Sequence, residues 1–273
     1  MSALVSASAG TMRTCYATAR AQIKRSLAYT IEIVRWPLFP LLFYVTLLFT
    51  YDAAGRTSVD DVSPAAFLLV GIFGMVLWST AIWSGGYAVE SERYEGTINS
   101  LFLTPAGRGA VVLGYSLGSL FVFVWPTMLV ATGIAVVAGV DFVVNDPLAV
   151  LLSFAALIVA ALALSYLLAG GFVLTRKANM FANLLQSPIY LLSGMMVPID
   201  DLPEAVQWFA FVFPVSAGME ALRATLLTGA SIGDVAEPLA RLVIASAVLM
   251  LIGHWLLRKV EHAARNAGTL DFE

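Results

Sequence analysis

Six runs of apolar residues, free of Asp, Glu, Lys and Arg apart from Arg241 in the opening turn of the last, are what this chain must first find a place for: 36–51, 64–89, 109–138, 148–174, 179–197 and 238–257. A helix of about 20 such residues crosses the roughly 30 Å of hydrocarbon in a bilayer. Water would have to be excluded from all six runs at once, and the remainder of the chain is too small to do it. Charged residues make up 12% of the sequence and apolar ones 60%, whereas a soluble domain is about 25% charged. The expected fold class is an all-α integral membrane protein with six transmembrane helices, forming a single domain over 1–273.

The connecting segments refine this. From Met12 the residues Tyr16, Ala19, Ile23, Leu27, Ile31 and Val34 form a helical stripe, with Arg13, Arg20, Lys24 and Arg25 largely off it. A basic amphipathic helix of this kind lies in the membrane surface, so 11–35 is read as an interfacial helix, preceded by about ten polar, disordered residues. The first span is short and is expected to start inside that helix, with Pro37 and Pro40 in its opening turns. Trp125-Pro126 marks an expected kink in the third span. No signal peptide is evident. Cys15 is the single cysteine, which excludes an internal disulfide and a cysteine metal cluster.

After the fifth span the texture changes. Pro198, Pro203 and Pro214 punctuate two short apolar stretches, and neither is long enough to span. Residues 198–229 are therefore read as a re-entrant or interfacial hairpin. Six spans put both termini on one side, and that side carries 12 of the 15 basic residues. The positive-inside rule makes it the cytoplasm, with the 198–229 hairpin external.

What the spans lack narrows function. Without intramembrane carboxylates or basic residues a proton-coupled antiporter is disfavoured. His254 and His262 are the only histidines, and no catalytic constellation suggests an intramembrane hydrolase. No G-x-x-x-x-G-K-[ST] loop occurs, so ATP is not bound through a Walker A motif. Asn179, Asn183 and Gln186 share one face of the fifth span; they are either glue between helices or a polar lining of a substrate path or dimer seam. Glu220 and Arg223, at i and i+3, are placed to pair within the hairpin, or to meet a substrate headgroup.

One charged island, 90–105, separates the second and third spans. Within it Tyr94, Ile98, Leu101, Phe102 and Pro105 recur at spacings of three and four, the pattern of a short helix with one apolar stripe. It is either an ordinary solvated connector or a helix that something holds.

Glu95-Gly96-Thr97-Ile98-Asn99-Ser100-Leu101-Phe102-Leu103-Thr104-Pro105 resembles the E-G-T-[LI]-x-x-L-x-x-[TS]-P segment of the ABC-2 type exporter permeases. Leu192-Ser193-Gly194-Met195-Met196-Val197-Pro198, with Leu202-Pro203 and Phe213-Pro214, is similar to that family's S-G-x-x-x-P…L-P…P segment, and Glu220-Ala221-Leu222-Arg223 to its E-x-x-R. At Phe213-Pro214 many members have Asn-Pro. The resemblance implies a non-enzymatic permease subunit that dimerises with a second copy or a paralogue and binds two cytosolic ATPase subunits. Those subunits would hold ATP and Mg; no cofactor is expected in this chain. It also implies a cell-membrane location, contact with lipids, no nucleic-acid partner, and cargo drawn from drugs, lipids, glycolipids or polysaccharides. By the same resemblance 90–105 is a coupling helix. Glu90, Glu92, Arg93 and Glu95 would offer charge to the ATPase, Tyr94, Ile98, Leu101 and Phe102 an apolar face, and Gly96 and Pro105 would fix its ends, with Thr97 part of the same coupling segment. The alternative is an energy-independent channel or scaffold.

Overall fold

The computed structural model describes residues 2–86, 108–173, 175 and 177–267, and these form helices joined by turns. In chain order they are α1 (Ser2–Ala28), α2 (Thr30–Ala53), α3 (Pro64–Thr80), α4 (Arg108–Ala138), α5 (Pro147–Val173), α6 (Ala178–Leu192), α7 (Glu204–Val212), α8 (Pro214–Leu227) and α9 (Ala236–Ala267). A π-helical turn, Ala81–Gly86, continues α3, and a 3-10 turn, Ile199–Asp201, precedes α7. The only β pairing among the described residues is a bridge between Val59 and Val62.

Among the described residues four helices are long and apolar enough to cross a membrane: Pro64–Gly86, Gly109–Ala138, Pro147–Val173 and Ala236–Lys259. These correspond to the second, third, fourth and sixth expected spans. The apolar part of α2, Leu38–Ala53, is shorter, and α6 has only 15 residues. At 1.5 Å per residue α6 is about 22 Å long, because Ser193 and Gly194 turn the chain before Val197. The α7–α8 pair bends by 86°, as a broken span or a re-entrant loop does. Pro203 stands at the N-cap of α7 and Pro214 opens α8, while Pro198 precedes the 3-10 turn. A proline's missing N–H is harmless in a first turn.

The expected segment 11–35 is divided. Helix α1 begins at Ser2, so residues 2–10 are helical where disorder was expected, and it ends at Ala28; Tyr29 alone separates it from α2. Helix α4 runs through Pro126 without interruption, and Thr127 Oγ1 donates to Phe123 O at 2.8 Å beside it. The N-terminus of α5 is fixed by Asp146. Its carboxylate accepts from the N–H groups of Leu148 and Ala149 at 3.1 and 3.2 Å, and from Ile232 N at 3.2 Å. That places an acceptor where orphan helical donors need one.

Helix α3 is the axis of the bundle. It is apolar all round, and 89% of its spanning window is buried, against 17% for α9. A helix of that pattern belongs inside, and α2, α4, α5 and α8 surround it. The turn after α6 presses directly on it: a Cβ on Gly71 would lie 2.1 Å from the Met195 carbonyl oxygen.

The seat of α1 is a surprise of composition. Its apolar stripe faces the bundle only in part: Met12, Tyr16 and Leu27 are exposed, while Ala19 and Ile23 turn inward and are half-buried. The face against α4 is small and polar, with Cys15, Thr18, Ala19 and Gln22 on Gly114 and Gly118. Glycines four apart let two backbones approach closely. A Cβ at Gly114 would sit 2.5 Å from Cys15 O, and one at Gly118 2.6 Å from Ala19 O. Gln22 Nε2 then donates to Ser119 Oγ at 3.1 Å. Gly114→Leu should therefore lift α1 away while the spans still insert. Maleimide labelling of the half-buried Cys15 in intact membranes should rise severalfold in this variant; an unchanged rate would show that α1 is not seated on α4.

Candidate functional site

Two cavities open at opposite ends of α3. Phe67 lines one of them, Ser79 and Trp83 the other. Ser79 lies twelve positions beyond Phe67, about 18 Å along the helix. Between the two lies dry core: Met75, Trp78, Met195 and Met219 are each at most 3% exposed. Trp78 packs edge-on against Phe213, with ring centroids 5.7 Å apart.

The larger cavity, about 810 Å³, sits at the α1–α2 corner. Gln22, Arg25 and Ser26 come from α1, Arg35 and Phe39 from α2, Tyr115 and Phe123 from α4, and Asn183 and Gln186 from α6. Its polar groups are organised by Gln186. The Gln186 Oε1 accepts from Trp83 Nε1 at 2.8 Å, and its Nε2 donates to Ser79 Oγ at 2.9 Å and to the Tyr190 hydroxyl. Ser79 and Tyr190 also bond to each other. Trp83 reaches Gln186 from within the π turn, a local widening of the helix that often marks functional sites. Arg25 Nη1 donates to the Tyr115 hydroxyl at 3.1 Å.

Of the three amides singled out from sequence, the structure brings Asn183 and Gln186 to this cavity. Asn179 is not among its lining residues; it is exposed and accepts from Asn183 Nδ2 at 2.7 Å through its side chain and 2.8 Å through its carbonyl. Ser79, Tyr190 and the cavity's α1 residues escaped sequence reasoning. A serine or tyrosine inside an apolar run gives no sign of which neighbour it faces.

The smaller cavity, about 540 Å³, is framed by the 54–63 connector and by α7, α8 and α9. Here the expected Glu220–Arg223 pair does not form. Glu220 pairs with Arg241 at 2.6 Å, and Arg241 also pairs with Glu237 at 2.7 Å. Arg223 points the other way: its Nη1 donates to Gly194 O at 2.6 Å and its Nη2 to Met195 O at 3.0 Å, and the guanidinium lies 3.6 Å from the Phe67 ring centroid. The physical reason is supply. The turn that ends α6 leaves carbonyls unsatisfied in an apolar setting, and a guanidinium with five donors answers them, whereas Glu220 is near enough to α9 for a second arginine. Asp60 faces the same cavity. Burial pushes its carboxyl above the usual range; the Arg223 guanidinium opposes this, and Asp200, Asp201 and Asp61 reinforce it.

The island residues Glu90, Glu92, Arg93, Tyr94, Glu95, Gly96, Thr97, Ile98, Leu101, Phe102 and Pro105 lie outside the described residues. Among the described residues no group of three or more His, Cys, Asp or Glu side chains could hold a metal ion.

Helices long and apolar enough to cross a membrane, packed around the buried α3, define a multi-pass integral membrane protein. The ABC-2 type transporter family matches residues 11–227, most of the chain, and the protein belongs to that family. It is also similar to Nodulation protein J of Rhizobium leguminosarum bv. viciae, 29% identical over 212 residues that cover 74% of this chain and 77% of that protein. The chain is thus a transport permease, a non-catalytic subunit of a kind that works with an ATPase partner.

Two measurements check these networks. Interhelical hydrogen bonds within bilayers average about 0.6 kcal/mol, so a double-mutant cycle of Trp83→Phe and Gln186→Leu in denaturant-titrated micelles should return a coupling of about that size. A value of zero would mean the indole and amide do not meet. Arg223→Ala should cost about 3 kcal/mol, because it strands buried carbonyls. Arg223→Lys should recover only part of this, since an ammonium cannot repeat the fork.

Proposed function

We propose that this chain is the membrane-spanning subunit of an ATP-driven exporter that moves an amphipathic cargo, a lipid, drug or glycan-bearing molecule, out of the cytoplasm. The observation that carries the reading is the pair of cavities on one buried helix, separated by dry side chains. A pump needs access from each side in turn and never from both at once, and this arrangement has the two chambers and the barrier. Membership of the ABC-2 type transporter family supports a partner ATPase as the energy source.

In this reading six segments cross the membrane, with α2 and α6 as the two short ones and α7–α8 as the re-entrant hairpin. Both termini lie in the cytoplasm of a cell-membrane protein, an orientation that the distribution of arginine and lysine supports. The exposed stripe of α1 rests in the inner leaflet while its glycine-seated face holds it to α4. The larger cavity, with Asn183 and Gln186, is the cytoplasmic chamber, and Asn179 belongs to its rim or to the seam between two permeases. Two copies of the chain, or this chain and a paralogue, bind two cytosolic ATPase subunits, which hold ATP and Mg. The island 90–105 docks in the ATPase, with Glu90, Glu92, Arg93 and Glu95 supplying charge and Ile98, Leu101 and Phe102 most of the buried area. Each large side chain contributes roughly 1.5–3 kcal/mol when fully buried. Closure of the ATPase dimer would pull on that segment. It joins α3 to α4 in sequence, so the motion reaches the chamber wall directly.

The test is coupling. Glu95→Lys and Leu101→Asp should leave insertion and nucleotide binding by the partner ATPase intact while abolishing cargo-stimulated ATP hydrolysis in proteoliposomes. Undiminished stimulation in both variants would remove the island from the mechanism. Failure of the wild-type chain to co-purify with any ATPase would remove the exporter reading itself.

A further inference from the structure

The last turn of α2 grips the turn that follows α6. Helix α2 closes in a Schellman motif: Arg56 N–H donates to Tyr51 O at 3.0 Å and Gly55 N–H to Asp52 O at 2.9 Å, with Gly55 at φ 68°. The motif fixes the backbones of Tyr51 and Arg56 together, and both side chains reach across. The Tyr51 hydroxyl donates to Met196 O at 3.1 Å in a buried setting. The Arg56 guanidinium pairs with the Asp201 carboxylate. It also lies 5.9 Å from the Tyr51 ring centroid, within reach of a cation–π contact. The receiving side is equally fixed. Asp201 ends the 3-10 turn, its N–H donating to Pro198 O at 3.3 Å. Gln207 Nε2 braces that turn, donating to Leu202 O at 2.8 Å and to Asp200 O at 3.3 Å.

The two contacts differ in what opens them. Tyr51 is 8% exposed, and breaking its bond would strand a buried carbonyl. The ion pair is open to solvent, with the Arg56 side chain 47% exposed and that of Asp201 39%, so it is weak and screened by salt. Exposed pairs usually contribute little because two long side chains must be immobilised to make them. Here both ends stand on hydrogen-bonded turns and the Tyr51 ring steadies the guanidinium, so less is left to immobilise. The segments so joined are two walls of the smaller cavity. The 54–63 connector contributes Asp60 and Val62, and the segment between α6 and α7 contributes Ile199 and Asp200. The connector is stiff beyond the pair, since Val59 and Val62 exchange both N–H···O bonds, at 2.9 and 3.0 Å.

We propose that the Arg56–Asp201 pair is a releasable latch that holds the 54–63 connector against the 3-10 turn, and with it two walls of the smaller cavity together. The Tyr51–Met196 bond is the part that stays made. When the ion pair opens, the stiff connector swings about that bond and the cavity widens. The exporter reading places this end of α3 outside, where release of the latch widens the exit. The latch itself needs only this chain and is the same for any cargo.

The experiment uses the full chain in lipid nanodiscs, with Cys15→Ser removing the single native thiol and Ala224→Cys as the reporter. Ala224 is half-buried and lines the smaller cavity. Its rate of labelling by N-ethylmaleimide, an uncharged reagent, reports how far the cavity is open. With Arg56 and Asp201 in place, raising salt from about 0.1 M to about 1 M shortens the screening length from about 10 Å to about 3 Å. Labelling should then quicken about threefold, the scale of an exposed ion pair. Arg56→Gln and Asp201→Asn should each reach the faster rate at low salt and lose the salt response. The double variant should be no faster than either single one, because the partners share one interaction. Unchanged rates in both single variants, a salt response that survives in both, or additive effects in the double variant would overturn the latch. The salt arm leaves both residues native, so an absent response there overturns it even where a variant fails to fold. Neither ATPase nor cargo enters the assay. Its failure removes the latch alone, and failure to co-purify with an ATPase removes the exporter reading alone.

Discussion

Lipid tails are as apolar as leucine, so burying a leucine against another helix gains little in a bilayer. Association must come from close backbone approach and from polar contacts that hydrocarbon leaves no other way to satisfy. That constraint organises this bundle. Helix α3 is enclosed because its neighbours reach its backbone, most tightly where the Met195 carbonyl presses on Gly71. Helix α1 is held by the Gly114 and Gly118 seat together with the Gln22–Ser119 bond. The polar contacts gather at two levels, around Gln186 at one end of α3 and around Arg223 at the other.

This division suits a permease. The middle of α3 is packed by Met75, Trp78, Met195 and Met219, and methionine fills irregular space with flexible, polarizable side chains. A barrier of that composition can repack without losing hydrogen bonds. The polar networks on either side cannot, and they hold the geometry of the two chambers. The π turn at Ala81–Gly86 lies at the boundary, carrying Trp83 into one chamber while leading the chain toward the island that follows.

How much of this was legible in the sequence varies by element. Runs of apolar residues announce helices and a membrane, and four of the six expected spans have the length to cross. The fifth was overestimated because Ser193-Gly194 lies inside an apolar run, so a turn there leaves no mark on hydropathy. Of the stripe read from the sequence, Met12, Tyr16 and Leu27 are exposed while Ala19 and Ile23 turn inward, and the face that packs adds the unremarkable Cys15, Thr18 and Gln22. Asn183 and Gln186 were found because amides stand out in hydrocarbon. Ser79 and Asp60 were not, since a serine inside a helix bonds as readily to its own backbone, as Ser79 does to Met75, and a loop aspartate is ordinary.

The sequence by itself determined the solvent, the helical class and the family, because these follow from composition, from periodicity and from two local motifs. It also set which side of the proposed topology carries most of the basic residues, and with it the proposed orientation of the spans. Only the tertiary structure decided partners. Glu220 and Arg223 are neighbours on one helix, and helical spacing alone predicts a pair. Yet the free carbonyls at Gly194 and Met195 are stronger claimants for a guanidinium, and Arg241, distant in sequence, is the cation that reaches Glu220. Pairing across helices depends on which carbonyls a turn leaves unsatisfied, and that is settled when the helices pack.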